Sequence, residues 1–448
     1  MRSAGNFLSK YIINLYFLNG IKYLILLIFL FNILYSCQSP TAPSVNLNLA
    51  LSDVTCTEAW LNIDAGNLSL PANITIKKNG NNFLNLTISK KDTTIYDSTL
   101  FPSQTYTYQV EYLKGFAFER SEAVTAKTLD TTSHDFTWQT FTFGNTSAGS
   151  STLNDVAVIS ADNIIAVGEI YMNDSTGKPD LLPYNAVHWD GIKWELNRIT
   201  TVFRGSLVTV PLEGIFTFSP TDIWAIGSLP IHGDGQNWTM YDVRTTTDPS
   251  LSLSDAWGSK SNDMYFIGRN GSIAHYENAQ WNKIKSGTNN NFTDIWGITT
   301  STGELIYCVS HDQYGANKSE IISIQNKEAA IVPFNVDEWI ALSIWTPDKN
   351  IIYMGGGNGL FKCVNNSWKK IDYNNDGYVG GIRGNASNDF FITGGFGLAA
   401  HFNGRTWKVF NEISLSAGNY SSIAMKANLV VMVGDNYGRA VIALGRRN

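Results

Sequence analysis

Asp389-Phe-Phe-Ile-Thr-Gly394, followed by His401-Phe-Asn-Gly-Arg-Thr-Trp407, decides the fold of this 448-residue chain. The first stretch is mostly apolar between an acid and a glycine, as in a strand buried on both faces. The second is a short strand, a two-residue Asn403-Gly404 turn, and a further strand opening on Trp407. Asn-Gly and Asp-Gly supply the positive-φ positions of a type I′ hairpin. Working outward, the tryptophan half recurs as His188-Trp-Asp-Gly-Ile-Lys-Trp194, His232-Gly-Asp-Gly-Gln-Asn-Trp238, His275-Tyr-Glu-Asn-Ala-Gln-Trp281 and Lys362-Cys-Val-Asn-Asn-Ser-Trp368. The apolar half recurs as Asp222-Ile-Trp-Ala-Ile-Gly227, Asp263-Met-Tyr-Phe-Ile-Gly268 and Asn350-Ile-Ile-Tyr-Met-Gly355. Asn163–Gly168, Asn428–Gly434 and Gly303–Val309 match less closely.

A third strand precedes these, marked by Asp155-Val, Asp255-Ala-Trp257, Asp294-Ile-Trp296 and Ile344-Trp345. The units follow one another roughly 40–60 residues apart, the period of four-stranded propeller blades. Seven copies of the inner strands are present, and the last, Tyr420–Leu444, ends without a Trp strand. An orphan Trp strand, Phe136-Thr-Trp138-Gln-Thr-Phe-Thr-Phe143, sits just before the first. Supplying the missing strand from the N-terminal side leaves no open sheet edge. The expectation is a seven-bladed β-propeller over 135–448. Six is the alternative, because 292–334 lacks the Trp.

Residues 45–128 read as a separate all-β domain, a sandwich with strands at Val45–Leu51, Ala59–Ile63, Asn73–Lys77, Phe83–Ile88 and Tyr106–Tyr112. Leu100-Phe-Pro-Ser-Gln-Thr-Tyr106-Thr-Tyr108 resembles the approach to the tyrosine corner of fibronectin type III domains. The resemblance implies a Tyr hydroxyl bonded to upstream backbone, with Trp60 in the core.

Ahead of that domain, Tyr23–Tyr35 is a 13-residue run with one amide, Asn32. It is short of the roughly 20 residues of a membrane span and fits a signal-peptide core. Leu34-Tyr35-Ser36-Cys37 resembles a bacterial lipobox. That implies a signal peptide over 1–36, diacylglycerol and an acyl chain on Cys37, and a tether over 37–44. Gln38 after the cysteine carries no inner-membrane retention signal, so the expected location is the cell envelope, at the outer membrane or cell surface.

Without 1–36 the chain loses Arg2, Lys10 and Lys22, leaving 29 basic against 38 acidic residues, a net charge of −9. An acidic chain lacks the clustered cations that nucleic acid requires. Few charges, 13 Trp and 38 Gly suit an exported all-β chain with tight turns. Cys56, Cys308 and Cys363 have no metal or redox spacing. They read as buried thiols, with a Cys308–Cys363 disulfide as the alternative.

As a whole the chain resembles bacterial surface lipoproteins with a fibronectin type III-like domain and a C-terminal propeller. Its propeller is similar to kelch-like and photosystem-assembly-factor-like repeats. It departs from WD40 and sialidase repeats in lacking their W-D and S-x-D-x-G-x-x-W signatures.

Four of the five positions six residues before a Trp are histidines. Equivalent positions on successive blades diverge around a ring, so these histidines read as structural rather than as a metal site. The repeated acids Asp155, Asp222, Asp255, Asp263, Asp294 and Asp389 read as turn caps. Long insertions at Tyr171–Tyr184, Thr201–Glu213 and Ser310–Lys318 belong to loops emerging on one face, and long loops on a rigid scaffold carry binding. Candidate ligand contacts there are Asp174, Asp180, Tyr184, Arg204, His311, Asp312 and Tyr314. Asp372-Tyr-Asn374-Asn-Asp376-Gly377 has the opening spacing of a calcium loop, but its twelfth position is Arg383. It reads first as an Asx-rich turn, with calcium on Asp372, Asn374 and Asp376 as the alternative and no other cofactor expected. No catalytic motif is present. The expectation is a non-enzymatic binder of a protein, peptide or glycan. The alternative is a carbohydrate-active enzyme (glycosidase, lyase or glycosyl transferase) working in the central depression through two convergent carboxylates.

Overall fold

The structure, a computed structural model, describes residues 46–312, 319–334, 336 and 340–448. The signal segment, Cys37, the tether, Val45 and Tyr314 lie outside the described residues. Among the described residues no helix is long and apolar enough to cross a membrane. The fold is all-β, with one helical turn at Val243–Thr246. Two compact units are present. One takes in residues up to Asp53, Trp60–Asp97 and Thr105–Ala126; the other takes in Val54–Ala59, Ser98–Gln104 and Lys127–Asn448.

The smaller unit holds two sheets. One joins Asn48–Val54, Ala59–Asp64 and Asp92–Asp97; the other joins Ala72–Lys78, Asn81–Ile88, Thr105–Lys114, Ala117–Arg120 and Val124–Lys127. Alternation sets the burial: Ile74 and Ile76, like Tyr108 and Val110, are inside, while the residues between them are not. Trp60 is fully buried, as expected. Tyr108, the second tyrosine of the Leu100–Tyr108 stretch, is buried and bonded. Tyr108 Oη donates to the Asp97 carboxylate at 2.6 Å, and Lys78 Nζ reaches the same oxygen at 2.9 Å. The buried hydroxyl thus meets a carboxylate that the sequence reading had not paired with it. Strand Asp92–Asp97, missed in the sequence, supplies that carboxylate.

The larger unit is propeller-like. Six antiparallel sheets span residues 152–197, 201–240, 253–283, 291–332, 341–371 and 379–409; a seventh joins residues 419–447 to Phe136–Phe143. The first strand of each sheet neighbours the first strand of the next, and that of the seventh neighbours that of the first. Cores form between successive sheets. In Leu429–Asn436, Leu429, Val431 and Val433 pack with Leu153, Val156 and Ile164 of the first sheet. Val430 and Met432 turn the other way, toward Phe391 and Ala399 of the sixth. Burial on both faces is why this strand reads as an unbroken apolar run.

Trp138, Trp194, Trp238, Trp281, Trp368 and Trp407 open or lie in fourth strands, and Glu328–Val332 fills that place in the fourth sheet without one. Thr201–Glu213 is not simply a loop. Thr201–Phe203 and Ser206–Val208 form a hairpin that extends the second sheet to six strands, pairing in parallel with Trp238–Met240. Cys56, Cys308 and Cys363 are buried free thiols, so the disulfide alternative is not realised.

Candidate functional site

The glycines ending the second strands explain what lines the centre. Gly168 pairs with Leu153, Gly268 with Leu253, Gly394 with Val379 and Gly434 with Tyr420. In each case the register slips by one residue directly after the first-strand partner. A Cβ on Gly168 would land on the Thr152 carbonyl, and one on Gly394 on the Tyr378 carbonyl. At these positions the missing side chain lets the bulged strand come that close, while the fourth sheet makes the same slip opposite Ser310. The bulge re-aims the next side chain. After the slip that residue is Asp155, Asp255, Asp294, Ser343, Gly381 or Ser422; Gly214 holds the same place in the second sheet, where no slip precedes it.

All of these except Gly214 line a central cavity of about 910 Å³, together with Phe216, Phe292, Trp296, Tyr378 and Arg383. Reading Asp155, Asp255 and Asp294 as turn caps is therefore overturned. A bulge, invisible to a two-residue alternation, turns them into the cavity. Asp222, Asp263 and Asp389 are not simple turn caps either. They accept from His232 at 2.8 Å, His275 at 2.7 Å and His401 at 2.9 Å, and Asn163 pairs with His188 at 3.0 Å. The repeated histidines are thus held one per sheet.

Most of the re-aimed side chains latch one sheet to the next. Asp155 Oδ2 accepts from Ile215 N at 2.8 Å, and Asp294 Oδ2 accepts from Ile344 N at 2.8 Å. Ser343 Oγ accepts from Ile382 N at 3.1 Å, and Ser422 donates to Asp155 Oδ1 at 2.7 Å. Asp255 departs from this pattern. Its Oδ1 caps its own Ala256 N at 2.7 Å, and among the described residues its Oδ2 accepts nothing.

Arg383 of the sixth sheet crosses to the fourth. Its guanidinium holds Asp294 through both oxygens, at 2.6 and 3.0 Å, donates to the carbonyls of Ile344 and Ile382, and lies 4.6 Å from the Trp296 ring centre. One cation faces three carboxylates. Burial pushes Asp155 up, against the pull of its hydrogen bonds from Ser422, Ile215 and Val156. Asp255 is pushed well above the usual carboxylate range by burial and then by the Asp155 and Asp294 charges, with Arg383 opposing. Burial disfavours charge on Arg383 too, but Asp294 outweighs it and the guanidinium is held more firmly charged. At the N-terminal ends of the first strands, Glu213 and Arg269 also line the cavity and pair at 3.4 Å.

The loop candidates lie elsewhere. Asp174 caps its own turn through the amides of Thr176 and Lys178. Asp180 and Tyr184 come together on Arg198, which bonds the carboxylate at 2.7 Å and lies 3.8 Å over the ring. Arg204 grips Asp242 at 2.7 and 2.9 Å. His311 ends the second strand of the fourth sheet, half-buried, with no partner for Nδ1 among the described residues and its pKa lowered by burial; Asp312 follows it. None of these lines the cavity. In the 372–377 segment, Asp372 accepts from Asn374 N and Asn375 from Gly377 N, an arrangement of Asx turns. Among the described residues no three His, Cys, Asp or Glu side chains are gathered to hold a metal. The sequence reading missed Arg383, Ser343, Ser422 and the role of Asp255; the repeated second-strand glycine was the signal for the last.

No family model matches the chain. No curated protein matches it. Among solved structures it is similar to the crystal structure of the computationally designed Ika8 protein, at 11% identity and a TM-score of 0.43, covering 66% of this chain and 96% of that one.

Proposed function

We propose that this is a bacterial envelope lipoprotein, anchored through Cys37, whose 135–448 region is a seven-bladed propeller that binds a protein, peptide or glycan without turning it over. Seven sheets in cyclic succession support the blade count, with Phe136–Phe143 completing the last. Two sheets with a buried Trp60 support a fibronectin type III-like module over 45–128. The observation that carries the binding reading is Asp255, whose Oδ2 has no partner among the described residues in a cavity walled by Trp296, Tyr378 and Phe216. An open carboxyl oxygen among aromatic walls suits a ligand that offers a hydrogen-bond donor or a cationic group on an apolar stem. The long-loop residues Asp174, Asp180, Tyr184, Arg204, His311, Asp312 and Tyr314 would widen that face.

A carbohydrate-active enzyme would use Asp255, with its raised pKa, as the proton donor. Its partner would have to be a second available carboxylate. Asp155 and Asp294, at the equivalent positions, have both oxygens engaged, and Glu213, which also lines the cavity, is paired with Arg269 at 3.4 Å. Binding is therefore the reading we carry.

A glycan and peptide library screened on the mature chain, with and without calcium, tests it. Any ligand found should weaken on Asp255→Asn by tenfold or more, as for removal of a buried charge-assisted bond worth roughly 1.5–3 kcal/mol. A ligand indifferent to Asp255→Asn and Trp296→Ala, or one consumed in a turnover assay, would remove the reading.

A further inference from the structure

The smaller unit gathers its exposed aromatic surface at one end. Strands Thr105–Lys114 and Ala117–Arg120 are joined by the two-residue turn Gly115-Phe116, with Gly115 at φ +63°. Leu113 and Phe118 face each other across the hairpin. They are 52% and 58% exposed, and Phe116 at the tip is fully exposed at 108%. A soluble β-hairpin ordinarily carries polar residues at such a place, and three large apolar side chains together mark a contact surface.

The same end is where the described chain begins. Asn46 N donates to Asn67 Oδ1 at 2.9 Å, and Ala65 N donates to the Lys91 carbonyl at 2.9 Å. Ala72 then pairs with Ile88, and Ile74 with Tyr112, two residues before the hairpin closes. The opposite end carries the Asn79-Gly80 turn. Nine residue steps separate Cys37 from Asn46, a reach of at most about 30 Å. The anchor therefore draws the Phe116 end, and not the Asn79 end, to whatever holds the lipid.

We propose that this end of the smaller unit, with Phe116 at its tip, sits in the interfacial layer of the bilayer that carries the Cys37 anchor. The inference rests on the lipoprotein reading for its direction. The convex tip of a two-residue turn offers no groove or matched rim for a folded partner, whereas aromatic rings partition into the headgroup layer without shape matching. Charge at this end is balanced. Lys90, Lys91 and Lys114 stand with Asp64, Asp92 and Glu119, and Lys114 and Glu119 pair at 3.8 Å. The attraction is therefore apolar and insensitive to anionic lipid. Insertion gives the anchored chain a second foothold and fixes which end of the unit points away from the membrane.

The test uses the full chain reconstituted in vesicles of phosphatidylcholine alone or with phosphatidylglycerol. Phe116→Cys carries an environment-sensitive nitrobenzoxadiazole label, and Asn82→Cys at the opposite end is the control; the three internal thiols are buried. Label at 116 should shift to the blue and be quenched by lipids bearing a nitroxide on the acyl chain, equally in both vesicles. Label at 82 should do neither. Matching, unquenched emission at both positions overturns the proposal. The mass of the Cys37 peptide separates the two readings. An acylated chain with an unquenched tip keeps the anchor and removes the insertion. An unacylated chain with a quenched tip does the reverse.

Discussion

Replacing Arg383 by Met should destabilise the larger unit by about 2–4 kcal/mol at neutral pH. The ion pair with Asp294 is two-pronged, with only 18% and 8% of the side chains exposed. Breaking such a pair from one side ordinarily costs about 3–5 kcal/mol, because the other charge stays buried and unpaired. Two features lower the figure here. Asp294 keeps its bonds from Ser343 and Ile344 N, and the cavity admits water. Arg383 also favours the charged forms of Asp155 and Asp255, so its loss is felt by all three acids. With an unfolding entropy of roughly 0.65 kcal/mol/K for about 310 residues, the melting temperature should fall by about 3–6 °C. Calorimetry of Arg383→Met, Asp294→Asn and the double variant, from pH 4 to 8, measures it. An acid whose folded pKa lies above its unfolded value weakens the fold at high pH, and protonation relieves this as pH falls. The Arg383→Met penalty should therefore shrink toward pH 4. The double variant should recover part of it, since Asp294, the one carboxylate Arg383 grips directly, is then not stranded. A variant melting within a degree of the parent at pH 7, or a penalty undiminished in the Asp294→Asn background, would refute this account of the cavity.

Asp255→Asn should raise the melting temperature at pH 7 by a degree or two, because it removes a buried acid whose charge burial and the Asp155 and Asp294 carboxylates disfavour more than Arg383 and the Ala256 amide favour it; a lowered melting point would mean that Asp255 holds the ring. His134 shares a 2.8 Å bond with His401 Nδ1, and burial, with the nearby His401, Lys408 and Arg447 charges, draws its pKa down to about 4. A histidine kept neutral in the fold yet titrating near 6.5 when unfolded stabilises above 6.5, and this is lost as pH falls to about 4. The loss should be at most about 3 kcal/mol and nearer 1–2 for a part-exposed ring, and a urea-melt series in which His134→Gln shows the same slope would exclude it. Removing residues 135–144 exposes the edge strand Arg439–Arg447 and should bring aggregation or a broad, early melt; a chain starting at Ser150 that melts as sharply as the parent would falsify the closure.

The sequence made the strands legible because both signals are local. Trp194, Trp238, Trp281, Trp368 and Trp407 mark outer strands, and the run Leu429–Val433 marks one packed on both faces. The orphan Trp138 strand found its place opposite Arg439–Arg447 for the same reason. What was not legible depends on a one-residue slip. Asp155, Asp255 and Asp294 look like their companions Asp222 and Asp263 in the sequence, since each precedes an apolar pair. A bulge opposite Gly168 or Gly268 separates the two sets in space, sending one inward and the other against a histidine. Arg383 stayed hidden because its partner lies 89 positions away in the chain, two sheets distant. The hairpin within Thr201–Glu213 was missed because its strands are three residues each and pair with a strand formed later in the chain.

The pairing of Phe136–Phe143 with residues 440–447 has a consequence for how the molecule is made. The outermost strand of the last sheet emerges from the ribosome first among these elements, and its partner emerges last. Until the final residues arrive, Phe136, Trp138 and Phe141 have no sheet to join. Such a long-range contact is slow to form, because roughly 300 residues of intervening chain must be ordered before it is rewarded. A chain exported in the unfolded state meets this requirement naturally, since all its strands reach the folding compartment before the ring must close. A chain cut short by even one strand at its C-terminus would lose its beginning along with its end.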